Sequence, residues 1–373
     1  MAKKKNADNR KKNWIDEYQV RRPLYERYCL KLQSLLEDLL SSSGITYHVV
    51  EARAKTSSSF AEKLDREGKS YSNALDEITD FAGVRVILYY VSDVDKLNCL
   101  IDREFCVDSS RSVDKRTSLA LDQFGYLSVH KIVRLSEQRT KLPEWTGLTE
   151  LFAEIQIRTV LQHSWAAISH ALQYKREAEV PDQFRRRLVR LSGLLELADE
   201  EFAALRESQT VLRQGIANEV ARGNLNITID ALSINEFLAR SETIKEFRSV
   251  IVRCGFERIG EATSNGISQL IEVCRLVDIS HIQELEDALT IDISQITAFL
   301  GELFKLRTAE RIRQIRVSDA HVAAIVLIAL QPPTFVKEVK ESLDHIWSPD
   351  YTDTISVASK KMKIGSRTQV KRS

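Results

Sequence analysis

Phe152-Ala153-Glu154-Ile155-Gln156-Ile157-Arg158-Thr159 alternates polar and apolar side chains. In an extended chain Glu154, Gln156 and Arg158 face one way and Ala153, Ile155 and Ile157 the other, so one face seeks a core and the other is open to chemistry. The period then changes. His163, Ala167, His170 and Tyr174 share a helical face opposite Leu161, Trp165, Ile168 and Leu172. A strand running into a helix is the unit of α/β and α+β folds, and the neighbouring sequence repeats the alternation. Strands are expected at 45–54, 83–91, 105–112, 126–135 and 151–158, with helices at 57–67, 93–104 and 159–174. This order predicts one main mixed sheet flanked by helices.

On the N-terminal side, Tyr18, Leu24, Tyr25, Tyr28, Leu32, Leu35, Leu36 and Leu39 place a helix over 14–40, ended by Ser41-Ser42-Ser43-Gly44. Beyond Pro181 the pattern turns helical: Phe184, Leu188, Leu191, Leu195, Ala198, Phe202 and Leu205 mark one stripe of a long helix. Ser233-Ile234-Asn235-Glu236 and Ser280-His281-Ile282-Gln283 read as capping boxes that open later helices. Pro332-Pro333 splits the last two. No internal repeat is present, and residues 206–373 hold no pattern that would support a reaction by themselves. The expected organisation is an N-terminal helical segment with a basic arm (1–44), an α/β domain (45–180), a long helix packing on it or linking from it (181–225), and a mainly helical C-terminal region with a basic tail (226–373).

Composition bounds the function. The 373 residues are 43% hydrophobic and 29% charged, which excludes a disordered or fibrous chain. The longest apolar run, Ala320 to Leu330, is interrupted by His321 and covers about half of a membrane crossing. Lys3-Lys4-Lys5 leads into further charge rather than an apolar leader. Five cysteines without a CxxC pair suit reduced thiols in a cytoplasmic protein. The formal charge of +1 conceals +5 in residues 1–12, +6 in residues 354–373 and −10 between them. Basic ends on an acidic body suit a polyanion such as RNA, although solvated, frayed termini have the same composition.

Four segments of the middle region could carry chemistry. Arg53 and Lys55 lie two apart at a strand end, and Ser59 and Lys63 four apart on the next helix. Their convergence on a helix N-terminus suits a polyphosphate, while alone the segment reads as a solvated basic turn. Asp80 enters the apolar strand 83–91 as a hard-cation ligand, and Arg85 within that strand needs either a carboxylate partner or a flat base to stack on. Tyr126, Ser128 and His130 alternate with Leu127 and Val129 after Gly125, so Tyr126 either stacks on a base or packs across strands. In the fourth segment Glu154 supplies a second carboxylate. His163 and His170, seven apart, read as packing or substrate contacts rather than a zinc pair. Two carboxylates at related strand ends, a basic cradle and an aromatic suit magnesium-dependent phosphoryl-type transfer.

In this order the four segments resemble the synthetase domain of the RelA/SpoT family of alarmone enzymes over about residues 45–175. The family's RxKxxxSxxxKL is present as Arg53, Lys55, Ser59, Lys63 and Leu64, and its TDxxGxR as Thr79, Asp80, Gly83 and Arg85. Its GYxSxH is present as Gly125, Tyr126, Ser128 and His130, and its EIQIRT as Glu154 to Thr159; Trp165, His170, Tyr174 and Lys175 resemble the helix that follows.

The resemblance implies a nucleotidyltransferase-like fold and Mg2+-dependent transfer of the β,γ-pyrophosphate of ATP to a ribose 3′-hydroxyl. It implies that Arg53 and Arg85 flank the adenine and that Lys55, Ser59 and Lys63 hold the ATP phosphates. Asp80 and Glu154 would bind the metal, with Glu154 also the base. Tyr126 would stack on the acceptor base, with His130 and Gln156 lining the acceptor side. Two departures remove positive charge near the acceptor: Leu121-Asp122-Gln123-Phe124 carries an acid where the family often has bases, and Leu127 replaces a common Arg. No His-Asp dipeptide occurs, so the hydrolase activity of the long family members is not expected. The expected partners are ATP and, as acceptor, GDP or GTP. The alternative is the 3′ CCA end of tRNA, as in the toxic branch, restrained by a C-terminal region that meets a protein trigger or antitoxin.

Overall fold

The computed structural model describes residues 2–66, 68, 70–116, 128–171, 182–309 and 315–361. Two compact units divide it, Met1–Glu207 and Ser208–Ser373. The first unit contains α1 (Ala2–Ser42), β1 (Tyr47–Ala54), α2 (Ser57–Leu64), α3 (Ala74–Glu77), β2 (Ala82–Leu88), α4 (Val91–Glu104), β3 (Phe105–Val107), β4 (Val113–Asp114), β5 (Val129–Leu135), α5 (Glu137–Thr140), β6 (Ala153–Thr159), α6 (Val160–Ala171) and the start of α7 (Asp182–Ala221).

Six strands form one mixed sheet in the order β1-β2-β6-β5-β3, with β4 also pairing β5. Only β2 and β6 run parallel; β1 with β2, β5 with β6, and β3 and β4 with β5 are antiparallel. The apolar residues of the alternating strands, Val84 and Val86 on β2 and Ala153, Ile155 and Ile157 on β6, are buried. They share a core with Tyr18, Tyr28, Leu32 and Leu36 of α1 and Val94, Leu97 and Ile101 of α4. Tyr18 stacks on Phe81 at 4.6 Å and meets Phe60 edge-on at 5.2 Å, pinning α1 beside the turn that enters β2. The opposite face keeps the polar residues.

Several expectations change in detail. Residues 2–12 are helical, so the basic N-terminal segment continues α1 rather than leaving it as an arm. The strand expected over 105–112 ends at Val107 and pairing resumes only at Val113, because Asp108 turns the chain by accepting from the Ser110 and Arg111 amides at 3.1 and 3.2 Å. The apolar face of α6 is not its buried one: Ile168 is exposed, whereas Gln162 is buried and exchanges hydrogen bonds with Thr159. The stripe on α7 is likewise open, with Leu191, Phe202 and Leu205 exposed. That helix is held instead by polar residues. Thr159 Oγ1 donates to Asp199 Oδ2 at 2.6 Å, and Arg206 pairs with the fully buried Asp93 while lying over the Tyr90 ring.

The second unit holds α8 (Ala231–Arg240), α9 (Glu242–Arg253), β7 (Glu257–Arg258), α10 (Ser264–Leu276), α11 (Ile282–Leu289), α12 (Ile293–Ala309), β8 (Arg316–Val317), α13 (Asp319–Ala329), α14 (Pro333–Glu338), α15 (Lys340–Ile346) and α16 (Pro349–Ser359). The apolar run 320–330 is α13, buried on all sides at the centre of this unit's core. Asp319 at its first position is buried and accepts from Arg248 and Arg258 at 2.7–2.8 Å. No helix among the described residues is long and apolar enough to cross a membrane. Both expected capping boxes are displaced. Asp230 caps α8 with Ser233 as its third residue, because the carboxylate reaches the Leu232 and Ser233 amides. At α11 the box closes through Glu284, which accepts from the Ser280 and His281 amides. Pro333 opens α14 instead of dividing the last two helices, and α15 and α16 follow.

Burial pushes the Asp199 carboxyl up to about 6, with the Thr159 hydrogen bond opposing it. The unfolded chain therefore releases this proton first as pH rises from about 4 to about 6, and stability falls across that window and stays lower above it. Asp199→Asn keeps the acceptor for Thr159 and removes the charge. Thermal unfolding should show the variant more stable than the parent at pH 7.5 by about 1–3 kcal/mol, with the advantage gone near pH 4.

Candidate active site

The register assembles the site. Arg53 on β1 lies opposite Gly83 on β2, Gly83 opposite Glu154 on β6, and Glu154 opposite Ile132 on β5; one pleat along, Glu51, Arg85, Gln156 and His130 form the next row. Arg53, Arg85, Glu154, Gln156 and His130 therefore share the polar face. Gly83 leaves a gap between Arg53 and Glu154, where an added Cβ would meet only the Arg53 carbonyl oxygen at 3.7 Å. Asp80 precedes β2 at the same end of the sheet at which Glu154 enters β6.

The two carboxylates are held differently. Asp80 Oδ2 accepts from Lys55 Nζ at 2.9 Å and from Lys63 Nζ at 2.8 Å, and all three side chains are mostly buried. Burial alone would raise the Asp80 carboxyl; the two ammonium groups outweigh it and hold it below the ordinary carboxylate range. Lys55 is set in place by its own backbone, donating its amide to Phe81 O at 2.8 Å and accepting the Tyr18 hydroxyl on its carbonyl at 2.6 Å. Lys63 projects from α2, whose N-cap Thr56 accepts from the Ser59 amide at 3.2 Å and donates to Ser59 Oγ at 2.9 Å.

Glu154 Oε1 lies 2.9 Å from His130 Nδ1, and Oε2 accepts from Gln156 Nε2 at 2.8 Å. A carboxylate oxygen only accepts, so this His130 nitrogen carries the proton. Arg158 donates to Gln156 Oε1 at 2.7 Å, completing a row along β6. Burial pushes the Glu154 carboxyl up, and the His130 and Gln156 contacts more than reverse it although Asp80 opposes them. Both carboxylates are thus ionised at neutral pH and close enough to feel each other.

Arg85 lies 3.9 Å from Glu51, beyond hydrogen-bond reach, with a third of its side chain exposed. Tyr126 lies outside the described residues, as do Tyr174 and Lys175, and the His170 side chain is likewise not described. Two residues were missed by sequence reasoning as parts of the site, Tyr18 and Arg158, whereas His163 was read as a packing or substrate contact. Burial and nearby Arg158 lower the His163 pKa, and its buried Nδ1 has no partner among the described residues. Arg158 alone carried a usable signal, being the third polar residue of its strand face.

Among the described residues, Asp80 Oδ1 is buried without a hydrogen-bond partner, and each Glu154 oxygen has accepted only one of the two bonds it can take. Magnesium takes one or two carboxylates and fills its remaining positions with water and phosphate oxygens, so this pair fits it.

Comparison with known proteins bears on the family. Residues 52–179 match the region found in RelA / SpoT proteins. GTP pyrophosphokinase YjbM of Bacillus subtilis is 30% identical over 158 residues, 42% of this chain and 71% of that protein. GTP pyrophosphokinase YwaC of the same organism is 29% identical over 161 residues, 42% and 72% of the two chains. A solved GTP pyrophosphokinase family protein from Streptococcus pneumoniae aligns over 52% of this chain and 94% of its own at 26% identity, with a TM-score of 0.43.

Removing one lysine leaves Asp80 a single counter-charge; removing both leaves a buried anion alone. Lys55→Met and Lys63→Met should each cost about 1 kcal/mol in urea unfolding and the pair about 3 kcal/mol or more, largely restored by adding Asp80→Asn. With its motifs, its sheet face and a relative matched over most of that relative's length, the chain belongs to the RelA/SpoT family, as an enzyme of the diphosphokinase type.

Proposed function

We propose that the protein transfers the β,γ-pyrophosphate of ATP to the 3′-hydroxyl of a guanosine nucleotide, GDP or GTP, in a magnesium-dependent reaction. The observation that carries this reading is the pair of ionised, mostly buried carboxylates, Asp80 just before β2 and Glu154 on the parallel neighbour β6, beside two lysine ammonium groups. Asp80 and Glu154 would hold the magnesium, and what the ion supplies when bound is neutralisation of the charge that develops on the transferred phosphates.

The protein's own groups account for the rest. Arg53 and Arg85 stand diagonally across neighbouring strands, their backbones roughly 7–8 Å apart, which is room for one flat base between two guanidinium planes. Lys55, Lys63 and the start of α2 with Ser59 face the position of a triphosphate. Glu154 accepts the proton of the attacking hydroxyl. It can do so at neutral pH because His130 and Gln156 keep it ionised and fix its plane. His130 and Gln156 line the acceptor side, and Tyr126 is assigned to stacking on the acceptor base.

A second reading keeps this chemistry and makes the 3′ CCA end of tRNA the acceptor, with the C-terminal region restraining the enzyme until a protein partner relieves it. The helical unit from Ser208 onward, outside the family match, favours it. Purified protein given labelled ATP with GDP, GTP or deacylated tRNA separates the two by which acceptor takes the label, and label on none of them overturns both. Asp80→Asn or Glu154→Gln should lower transfer by about two to three orders of magnitude, and normal transfer by either would contradict the assigned roles. His130→Ala removes both a hydrogen bond and electrostatic support from Glu154, so the carboxyl pKa rises. The acidic limb of the pH–rate profile should then move to higher pH, and an unmoved limb would show that His130 does not tune the base.

A further inference from the structure

The second unit contains a cleft of about 340 Å3 lined by residues of α10, α12, β8 and α13 and by the junction of α15 with α16. One wall is a closed hydrogen-bond network. Gln269 donates to Ile346 O at 3.2 Å, which turns its amide oxygen toward His321 Nδ1 at 3.3 Å; His321 Nε2 then accepts from the Tyr351 hydroxyl at 2.8 Å. Burial holds the His321 pKa down to about 4, consistent with a neutral ring that donates from one nitrogen and accepts at the other. Tyr351 is stacked between that ring and the Arg307 guanidinium. The acceptors of this wall are committed.

What remains is donors. Trp347 is more than nine-tenths buried, yet its indole N–H has no acceptor among the described residues, a condition that folded interiors rarely leave standing. Ser348 occupies the N-cap of α16 without its hydroxyl capping the helix, and the helix start adds positive potential. Arg316, largely exposed at the rim, reaches Glu257 only at 3.4 Å. No carboxylate lines the cleft among the described residues, and the rest of its wall is Ile315, Val317 and Ile346.

We propose that this cleft binds a phosphate monoester. The oxyanion accepts from the Trp347 indole, the Ser348 hydroxyl and the Arg316 guanidinium, and the organic part lies against the three aliphatic side chains. The assignment concerns the second unit alone and does not depend on the proposed transfer reaction.

The test uses the full chain labelled with 5-fluorotryptophan, the Trp347 fluorine resonance being assigned by its loss in Trp347→Phe. Inorganic phosphate and phenyl phosphate are titrated against sodium chloride of equal ionic strength, with acetate as a carboxylate arm. Both phosphates should shift the Trp347 resonance saturably, phenyl phosphate about tenfold more tightly. Arg316→Gln and Ser348→Ala should each weaken that binding about tenfold, while Glu154→Gln leaves it unchanged. The site is overturned by no saturable shift with either phosphate, by an equal shift with chloride, or by unchanged affinity in Arg316→Gln. Tighter binding of acetate overturns the phosphate assignment, and equal affinities for the two phosphates overturn the aliphatic subsite.

Discussion

The parallel pairing of β2 with β6 is the constraint on which the candidate active site depends. It sets Gly83 opposite Glu154 and so brings Asp80 to the carboxylate that follows it by 74 residues. The register is strongly specified because one face of both strands is buried. A slip of one residue would drive Glu154, Gln156 and Arg158 into the core against α1 and α4 and turn Ile155 and Ile157 toward solvent. Packing of the apolar face therefore maintains the geometry of the polar one. Tyr18 shows how closely the two are joined: its ring is fully buried against Phe60 and Phe81, while its hydroxyl fixes the carbonyl of Lys55.

The electrostatic balance is equally specific. Two mostly buried carboxylates near each other should raise each other's pKa, and burial adds to that. Both are nevertheless lowered, Asp80 by two ammonium groups and Glu154 by His130 and Gln156. The cost of desolvation is thus offset by local partners rather than by solvent. The partners differ in kind: Asp80 is held by two lysine ammonium groups from outside the sheet, whereas Glu154 is fixed by groups on its own strand and the adjoining β5.

Much of this was legible in the sequence because strands with one polar face announce both their period and their orientation. β1, β2, β5 and β6 were recognisable from alternation, and the polar residues of β2 and β6 do share a face. What escaped has physical causes. The helix α7 was read from its apolar stripe, yet it is held through Asp199 and Arg206, seven apart, and polar docking leaves no hydrophobic period. The first capping box was misplaced because a Ser-x-x-Glu pattern matched, while Asp230, three residues earlier, captured the free amides first. The chain-wide charge count could not anticipate that Lys55 and Lys63 would share one oxygen of Asp80, since the three lie on separate elements.

The row along β6 marks the limit of pattern reading most sharply. Alternation places Glu154, Gln156 and Arg158 on one face but says nothing about which donates to which. In the fold every donation runs toward Glu154: Arg158 to the Gln156 carbonyl oxygen, the Gln156 amide to one carboxylate oxygen, His130 to the other. Because Arg158 has no acceptor to offer, the Gln156 amide can adopt only the orientation that turns its NH2 to Glu154. The carboxylate plane is therefore set before any substrate arrives, with one hydrogen-bond position open on each oxygen. In the proposed role of Glu154 as base, such preorganisation would spare it reorientation during the reaction. It also explains why a single glutamate on an ordinary strand needs three neighbours of particular chemistry, drawn from two strands, before it becomes a site.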